Sequence, residues 1–201
     1  MGYSKIKIST ESFIKIKKKG EATGFVTVLF CIAVVIILYF YVYQLYITNS
    51  EIEKSSDALV TANLAVYKDI NIETLADDPQ NIIITDNNMA FSTFKKHLRN
   101  NLNLDSNEIP IGNSYIKSKV KVERFTIYNI LDDDVIILNY IPGGNNFQIE
   151  MNSGKKGLIR TPKGTVVFNT TVHSSISFDI SILNEKRNIT LSEDTDIINT
   201  N

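Results

Sequence analysis

The sequence has little of the residue types that usually build metal or catalytic sites. It contains one cysteine, two histidines and no tryptophan among 201 residues. The single cysteine, Cys31, lies inside a long apolar run, so the chain beyond that run can form no intramolecular disulfide. That part also lacks the Cys and His clusters that hold zinc. We therefore expect no metal, no cofactor and a fold that rests on packing alone.

Charge of neither sign predominates. The chain has 21 basic and 22 acidic residues and a formal net charge of −1, which gives no reason to expect a nucleic-acid partner. The lysines are unevenly placed, however, and before Gly20 only Glu11 opposes them. The early lysines are Lys5, Lys7, Lys15, Lys17, Lys18 and Lys19. By the positive-inside rule, this end stays in the cytoplasm and the rest of the chain is exported.

The segment from Phe25 to Ile47 contains no charged residue, and its only strongly polar side chains are Thr27 and Gln44. At ~1.5 Å per residue, a helix of this length crosses a hydrocarbon core of about 30 Å. Aromatic residues crowd its second half, as at a membrane–water boundary. They are Tyr39, Phe40, Tyr41, Tyr43 and Tyr46. The pattern predicts a single-pass protein of the cell membrane with an extracellular C-terminal domain.

The helical pattern continues beyond this span. No glycine or proline interrupts the chain from Phe25 to Asp78, which predicts one long helix over 21–70 after a basic leader, 1–20. Ile52, Leu59 and Val66 recur every seven residues and form a narrow apolar stripe. Two interpretations are open. The stripe seals the exported domain of its own chain or forms a helix assembly surface for neighbouring subunits, and both can hold on different faces.

The segment 71–114 is predicted to be a connector that carries a short helix at about 88–101. Asp86 or Asn87 is suited to cap this helix, because a short polar side chain can accept a hydrogen bond from the first turn. Ile82–Ile84 is predicted to form a short strand within the connector.

From 115 to 183 the period changes to alternation, which predicts an antiparallel sheet and an α+β fold. We expect a bulge near Glu123–Arg124 and turns at Asp132–Asp134 and Thr161–Gly164. The last predicted strands are Leu158–Arg160, Val166–Val172 and Ile176–Ile182. The segment 184–201 is expected to be a polar, frayed tail, with at most a weak edge strand at Ile189–Leu191.

Few groups of residues suggest chemistry. Asp132, Asp133 and Asp134 could gather a cation, but a solvated turn is the better interpretation. His173, followed by two serines, has no acidic partner at a motif spacing and is expected in a turn between two strands. His97 is expected on the surface of the short helix, and Gly143–Gly144 lacks the residues of a phosphate loop. We expect that the protein is not an enzyme.

The residues before the span are more informative. Lys17-Lys18-Lys19-Gly20-Glu21 resembles the leader of type IV prepilins, which a membrane-embedded aspartyl peptidase cuts after the glycine. The resemblance implies processing between Gly20 and Glu21. Pilins of this superfamily generally carry a glutamate at the fifth mature position, which here is Phe25, or Leu29 if cleavage follows Gly24. This departure favours a minor or accessory component, and an uncut anchor is the alternative.

The whole arrangement resembles TadE-like, pseudopilin-type proteins of Gram-positive bacteria. The resemblance rests on the leader, the single span, the Ala-rich helix around Asp57–Ala65 and the β-rich exported domain, and on Phe91–Asp105, Phe125–Asn129, Thr161–Gly164 and Thr170–Ser174. It implies a structural or assembly component of a tight-adherence pilus or related secretion system, with other pilin-like subunits and a prepilin peptidase as partners. The alternative is a permanently anchored binding or adhesion module that never enters a filament.

Overall fold

The structure is a computed structural model that describes residues 10–70, 82–143, 146–182 and 185–196, with side chains from residue 23 onward. The chain divides into two compact units, Met1–Ile47 and Thr48–Asn201. The first unit holds the early part of one helix, and the second holds the rest of that helix together with a second helix and a sheet. The predicted α+β class is therefore confirmed.

The first helix, α1, spans Thr10–Val66 and ends in a 3-10 turn at Tyr67–Asp69. Its uninterrupted course agrees with the absence of glycine and proline after Gly24. The helix begins earlier than predicted, within the basic leader. It stops before Ile70, whose ψ of 143° is extended.

The second helix, α2, spans Asn87–Leu102 and has a cap at each end. The Asp86 carboxylate accepts a hydrogen bond from the Met89 N–H at 2.8 Å, which confirms one of the two predicted caps. At the other end Asn103 adopts a left-handed conformation with φ 52°, and its N–H reaches the carbonyl oxygens of Arg99 and Asn100. The cap residues thus fix both ends of the helix.

Five antiparallel strands form one sheet in the order β3-β2-β1-β4-β5. The strands are β1 Lys121–Leu131, β2 Asp134–Ile141, β3 Asn146–Asn152, β4 Thr171–Ile182 and β5 Glu185–Asp196. The register between β1 and β4 shifts between Val122 and Arg124, which confirms the predicted bulge. The predicted turn at the aspartates also lies between β1 and β2.

Three predictions about the second half of the sheet are wrong. Residues 153–170 form a loop, with only an isolated bridge between Arg160 and Val166 in place of two strands. β4 runs without a break through His173, where a turn was expected, because β1 and β5 pair with it on both sides. The expected frayed tail is instead a full edge strand over Glu185–Asp196, which includes the weak edge strand predicted at Ile189–Leu191. Backbone pairing with β4 outweighs the polar composition of this segment.

The connector is also more irregular than predicted. Residues 82–86 form no strand, so the prediction for Ile82–Ile84 is wrong. The Asn129 side chain replaces a strand partner there: its oxygen accepts from the Ile84 N–H at 3.0 Å, and its amide donates to the Ile84 carbonyl at 2.8 Å. Ile84 is thereby buried without joining the sheet.

The sheet buries apolar side chains on both faces. Alternation along β1 places Phe125 and Ile127 in the main core, which also contains residues of α1 and α2. Tyr128 and Ile130 point to the opposite face and pack in a smaller cluster with Val167 of the loop 153–170. The two helices thus cover one face, and the loop covers part of the other.

Candidate functional site

The first part of α1 carries the largest exposed apolar surface in the described chain. Every side chain from Thr23 to Ile47 is exposed, including Phe30, Ile37 and Tyr46. By length and composition, this segment is able to cross a membrane. Apolar side chains around the whole circumference are typical of contact with lipid or with other apolar helices.

The few polar groups in this segment are arranged to suit an apolar environment. The Thr27 hydroxyl donates to the Thr23 carbonyl one turn earlier at 3.0 Å, so its donor is satisfied within the helix. Tyr39 stacks on Tyr43 with ring centroids 6.2 Å apart and meets Phe40 edge-on at 6.1 Å. The aromatic residues therefore form a connected band near the end of the apolar segment.

The predicted helix stripe is buried, unlike the exposed first part of α1. Leu59 and Val66 are completely buried in the core between α1, α2 and the sheet, and Ile52 packs against the same core. The interpretation that the stripe seals its own domain is confirmed. Leu59 and Val66 leave no exposed surface for a neighbouring subunit, whereas Ile52 is half-buried. An assembly role for the stripe stays a prediction. Leu64, on another side of the helix, is exposed.

A network of buried polar groups joins α1 to β4 and β5. Asn63 is completely buried, and its side-chain oxygen accepts from the Ser174 hydroxyl at 2.7 Å. Its amide donates to the carbonyl of Glu193 at 3.2 Å and approaches the Thr195 hydroxyl at 3.4 Å. Because each buried polar atom finds a partner, the network fixes the position of α1 along these strands.

Tyr67 extends the network at the end of α1. Its hydroxyl lies 2.6 Å from the Thr195 carbonyl and 2.9 Å from the Thr170 carbonyl. Burial, together with the negative charge of Asp196, raises the pKa of this hydroxyl far above its ordinary value. Tyr67 is therefore a neutral donor that anchors the helix end to β4 and β5.

A second polar group lies nearer the start of the packed part of α1. Glu193 of β5 accepts a hydrogen bond from Ser56 at 2.5 Å and forms an ion pair with Lys163 of the loop 153–170. One carboxylate thus connects α1, the sheet edge and the loop.

His173 and Asp194 form a buried pair on the loop-covered face of the sheet. His173 Nδ1 lies 2.6 Å from Asp194 Oδ1, and the Thr161 hydroxyl donates to Oδ2 at 2.6 Å. Burial, with the charges of Arg124 and Lys163, lowers the pKa of His173, although Asp194 opposes this. The imidazole is therefore neutral and donates its Nδ1–H to the carboxylate.

Asp194 is held in the ionised form. Burial alone would raise its pKa, but hydrogen bonds from Thr161, Thr165 and His173 hold the pKa below its ordinary value. Thr161 donates to the carboxylate rather than to the imidazole, so these groups do not form a nucleophile–base pair. They form a clamp that holds the turn at Thr161–Gly164 against β4 and β5.

Sequence reasoning missed Asp194 because the segment that contains it was expected to be a frayed tail. The signal that could have found it is the antiparallel register of two adjacent strands, which places Asp194 directly opposite His173. That register depends on a strand that the composition did not predict.

The aspartates Asp132, Asp133 and Asp134 connect β1 to β2 and hold the loop that follows β3. Asp132 and Asp133 form the turn before β2, and the Asp134 carboxylate accepts from the Gly154 N–H at 2.8 Å. Ser153 donates to the same carboxylate at 3.4 Å. In the part of the chain that the structure describes, no three His, Cys, Asp or Glu side chains gather at a metal-binding distance. The turn interpretation is confirmed.

The remaining predicted residues are dispersed. Gly20 and Glu21 lie within α1, in a stretch where the structure describes the backbone alone, so their processing stays a prediction. His97 is a half-buried residue of α2. Gly143 follows β2 in a turn, and Gly144 lies outside the described residues. The described residues among these, His97 and Gly143, lie in different elements.

We compared the chain with protein-family models, with curated proteins and with solved structures, and none of the three comparisons gave a match. The resemblance to TadE-like and pseudopilin-type proteins therefore stays a prediction from the residues themselves. The function has to be inferred from the exposed apolar segment and from the contacts that hold the second unit together.

Proposed function

We propose that this protein is a membrane-anchored, pilin-like structural or assembly component, of the minor pilin or pseudopilin type, in a surface pilus or related secretion system. The single observation that carries the proposal is the division of α1. One uninterrupted helix is exposed and apolar on all sides from Phe25 to Ile47, yet its later residues Leu59 and Val66 are completely buried in a sheet domain.

This division means that the two parts of α1 pack against different surroundings. The later part has its own domain as partner, through the core and the Asn63 network. In the earlier part, every side chain that the structure describes from Thr23 to Ile47 is exposed, and such apolar side chains require lipid or other apolar helices. A pilin-like subunit would cover this apolar segment with lipid while it resides in the bilayer. It would cover the same segment with neighbouring helices once it has joined a filament.

The proposed topology is single-pass. The six early lysines place the N-terminus in the cytoplasm, and the sheet domain lies at the cell surface. Since Cys31 is the only cysteine, a Cys31→Ala background with Ser153→Cys provides a single exposed label site. An impermeant maleimide should label intact cells through position 153. Labelling only after lysis would contradict the topology.

Processing is the sharpest test of the pilin-like class. N-terminal sequencing of the protein from its native membrane should give Glu21 as the first residue, and Gly20→Ala should leave a longer precursor. Gly24→Ala separates the two possible cleavage positions: it should leave cleavage after Gly20 unchanged and would block cleavage after Gly24. The added methyl group itself disturbs no neighbouring atom. An intact leader in the native membrane would refute the processed form.

The alternative function is a permanently anchored extracellular binding or adhesion module. It is favoured by the burial of Leu59 and Val66, which leaves no apolar stripe on the later part of α1 for neighbouring subunits. Under this alternative, cleavage is absent and the Gly20→Ala variant behaves as the wild type does. The same sequencing experiment therefore separates the two functions.

A further inference from the structure

A cleft of about 280 Å³ lies in the second unit, between α2 and the start of β1. Its walls include Phe91 and Lys95 of α2, Glu108 of the connector, Lys119 just before β1, and Tyr140 near the end of β2. None of these side chains takes part in the Asn63 network or in the clamp formed by His173, Asp194 and Thr161. A cleft of this volume accommodates one small organic molecule.

One wall of the cleft is aromatic. The rings of Phe91 and Tyr140 are stacked, with centroids 4.1 Å apart and an angle of 28° between their planes. Both residues are half-buried, and the completely buried Phe125 supports Phe91 from behind at 5.2 Å. Both rings line the cleft, and Phe147 contacts each of them from β3. The pair therefore belongs to a firmly held aromatic cluster, against which another aromatic ring can pack.

Charged groups also line the cleft. Glu108 is nearly buried, and its two oxygens hold two ammonium groups: Lys95 Nζ at 2.7 Å and Lys119 Nζ at 3.4 Å. Burial would raise the pKa of Glu108, but the two lysines hold it below its ordinary value. Each ammonium carries three N–H donors, so one contact to Glu108 leaves donors available for a further acceptor.

The charge of the cleft is positive on balance. Lys121 is a third lysine in the lining of the cleft, which contains two carboxylates, those of Glu108 and Glu123. The Glu123 carboxylate also accepts a hydrogen bond from Ser177. Lys95 also lies 5.8 Å from the centre of the Phe91 ring, which brings the charged and aromatic walls together. An anion is therefore favoured over a cation here.

We propose that this cleft binds a small organic anion that carries a planar ring. The anionic group contacts the ammonium groups of Lys95 and Lys119, and the ring packs against Phe91 and Tyr140. A carboxylate and a phosphate share this chemistry. The proposal goes beyond the pilin-like function and does not depend on it, since an anchored module and a filament subunit would both expose this cleft.

The test is isothermal titration calorimetry on the full chain in nanodiscs of neutral phosphatidylcholine, with empty nanodiscs as the blank. Benzoate and phenyl phosphate are the two anionic probes, and the tighter one identifies the preferred group. We expect one saturable site for at least one of them. Benzamide, which keeps the ring and lacks the charge, should bind at least about tenfold more weakly, as should acetate, which lacks the ring.

The chain offers matched control variants. Lys95→Met and Lys119→Met should each weaken binding of the preferred probe about tenfold. Lys96→Met and Lys117→Met remove the same charge at positions outside the cleft and should change the affinity less than about twofold. Circular dichroism checks that all four variants remain folded.

Three results would overturn the proposal. One is the absence of saturable binding for both anionic probes. Another is equal binding of benzamide, which would indicate apolar partition alone. The third is an equal loss in the cleft and control variants, which would indicate non-specific attraction to charge. Failure of leader cleavage would refute the processed pilin but leave this binding unaffected, so the two proposals fail separately.

Discussion

Two leucines of the same helix show how differently its two parts are used. Leu38 is 57% exposed, whereas Leu59 is 0% exposed. The earlier part of α1 is apolar around its circumference and almost free of polar side chains, while the later part buries a stripe together with the polar Ser55 and Asn63. The comparison shows that the polar residues mark the part of the helix that packs in its own domain. Such residues need fixed partners, which lipid cannot supply.

The largest expected effect distinguishes the two parts directly. Leu59→Ala should lower the free energy of unfolding of the second unit by about 2–5 kcal/mol, because it leaves a cavity in the core. Urea unfolding of the full chain in detergent, followed by circular dichroism, measures this loss. Leu64→Ala is the matched control on the exposed side of the helix and should cost little. Equal losses in the two variants would contradict the packing of α1.

A charge in the middle of the apolar segment tests the other side of the comparison. Ile36→Lys should raise the free energy of membrane insertion by about 3 kcal/mol, since a lysine at the centre of a span is strongly disfavoured. The same change should leave urea unfolding of the second unit untouched. A glycosylation-based insertion assay measures the effect, with Ile36→Leu as the control. Unchanged insertion of the lysine variant would refute the membrane span.

The buried polar network should contribute less than the apolar stripe. Asn63→Ala leaves the Ser174 hydroxyl without its acceptor, and we expect a loss of about 1–3 kcal/mol in unfolding free energy. Asn100→Ala, an exposed position on α2, is the control and should be nearly neutral. A combined Asn63→Ala and Ser174→Ala variant should recover part of the loss, because both polar partners are then removed.

The smallest expected effect is a dependence on pH. Because the pKa of His173 is lowered in the folded state, its contribution to stability is complete above pH 6.5 and is lost as the pH falls below that value. Between pH 6.5 and 5.5 the loss is at most about 1.4 kcal/mol. The lowered pKa of Asp194 adds a further loss at more acidic pH, below about 3.8.

The chain's second histidine provides the control for this effect. His173→Gln should remove the change in stability between pH 6.5 and 5.5, while His97→Gln should retain it. Urea midpoints at the two pH values make the measurement. If the His97 variant alone lost the dependence, the assignment to the His173–Asp194 pair would be wrong.

Local signals predicted the features that depend on neighbours along the chain. The cap by Asp86, the turn at the aspartates and the bulge near Arg124 each rest on a few adjacent residues, and all are confirmed. The full length of the polar strand β5 was not predicted, and of the irregular loop 153–170 only the turn at Thr161–Gly164 was. Their backbone conformation depends on whether a strand lies alongside, and composition says little about that.

In the candidate functional regions, too, local sequence predicted some features and tertiary contacts set the others. Apolar length alone identified the exposed segment of α1, whereas the His173 clamp and the lysine-lined cleft could not be found from spacing. His173 and Asp194 come together only through the register of β4 and β5, and Lys95 and Lys119 come together only through Glu108.

The sequence by itself determined that this protein has one long helix with an apolar segment able to span a membrane, followed by an antiparallel sheet. These properties follow from the length of an uncharged run and from side-chain periodicity, which are local quantities. Only the tertiary structure decided that Leu59 and Val66 face their own domain, and that Asn63 and His173 are satisfied inside it. Burial and hydrogen bonding depend on residues distant in the chain, and the fold alone brings those residues together.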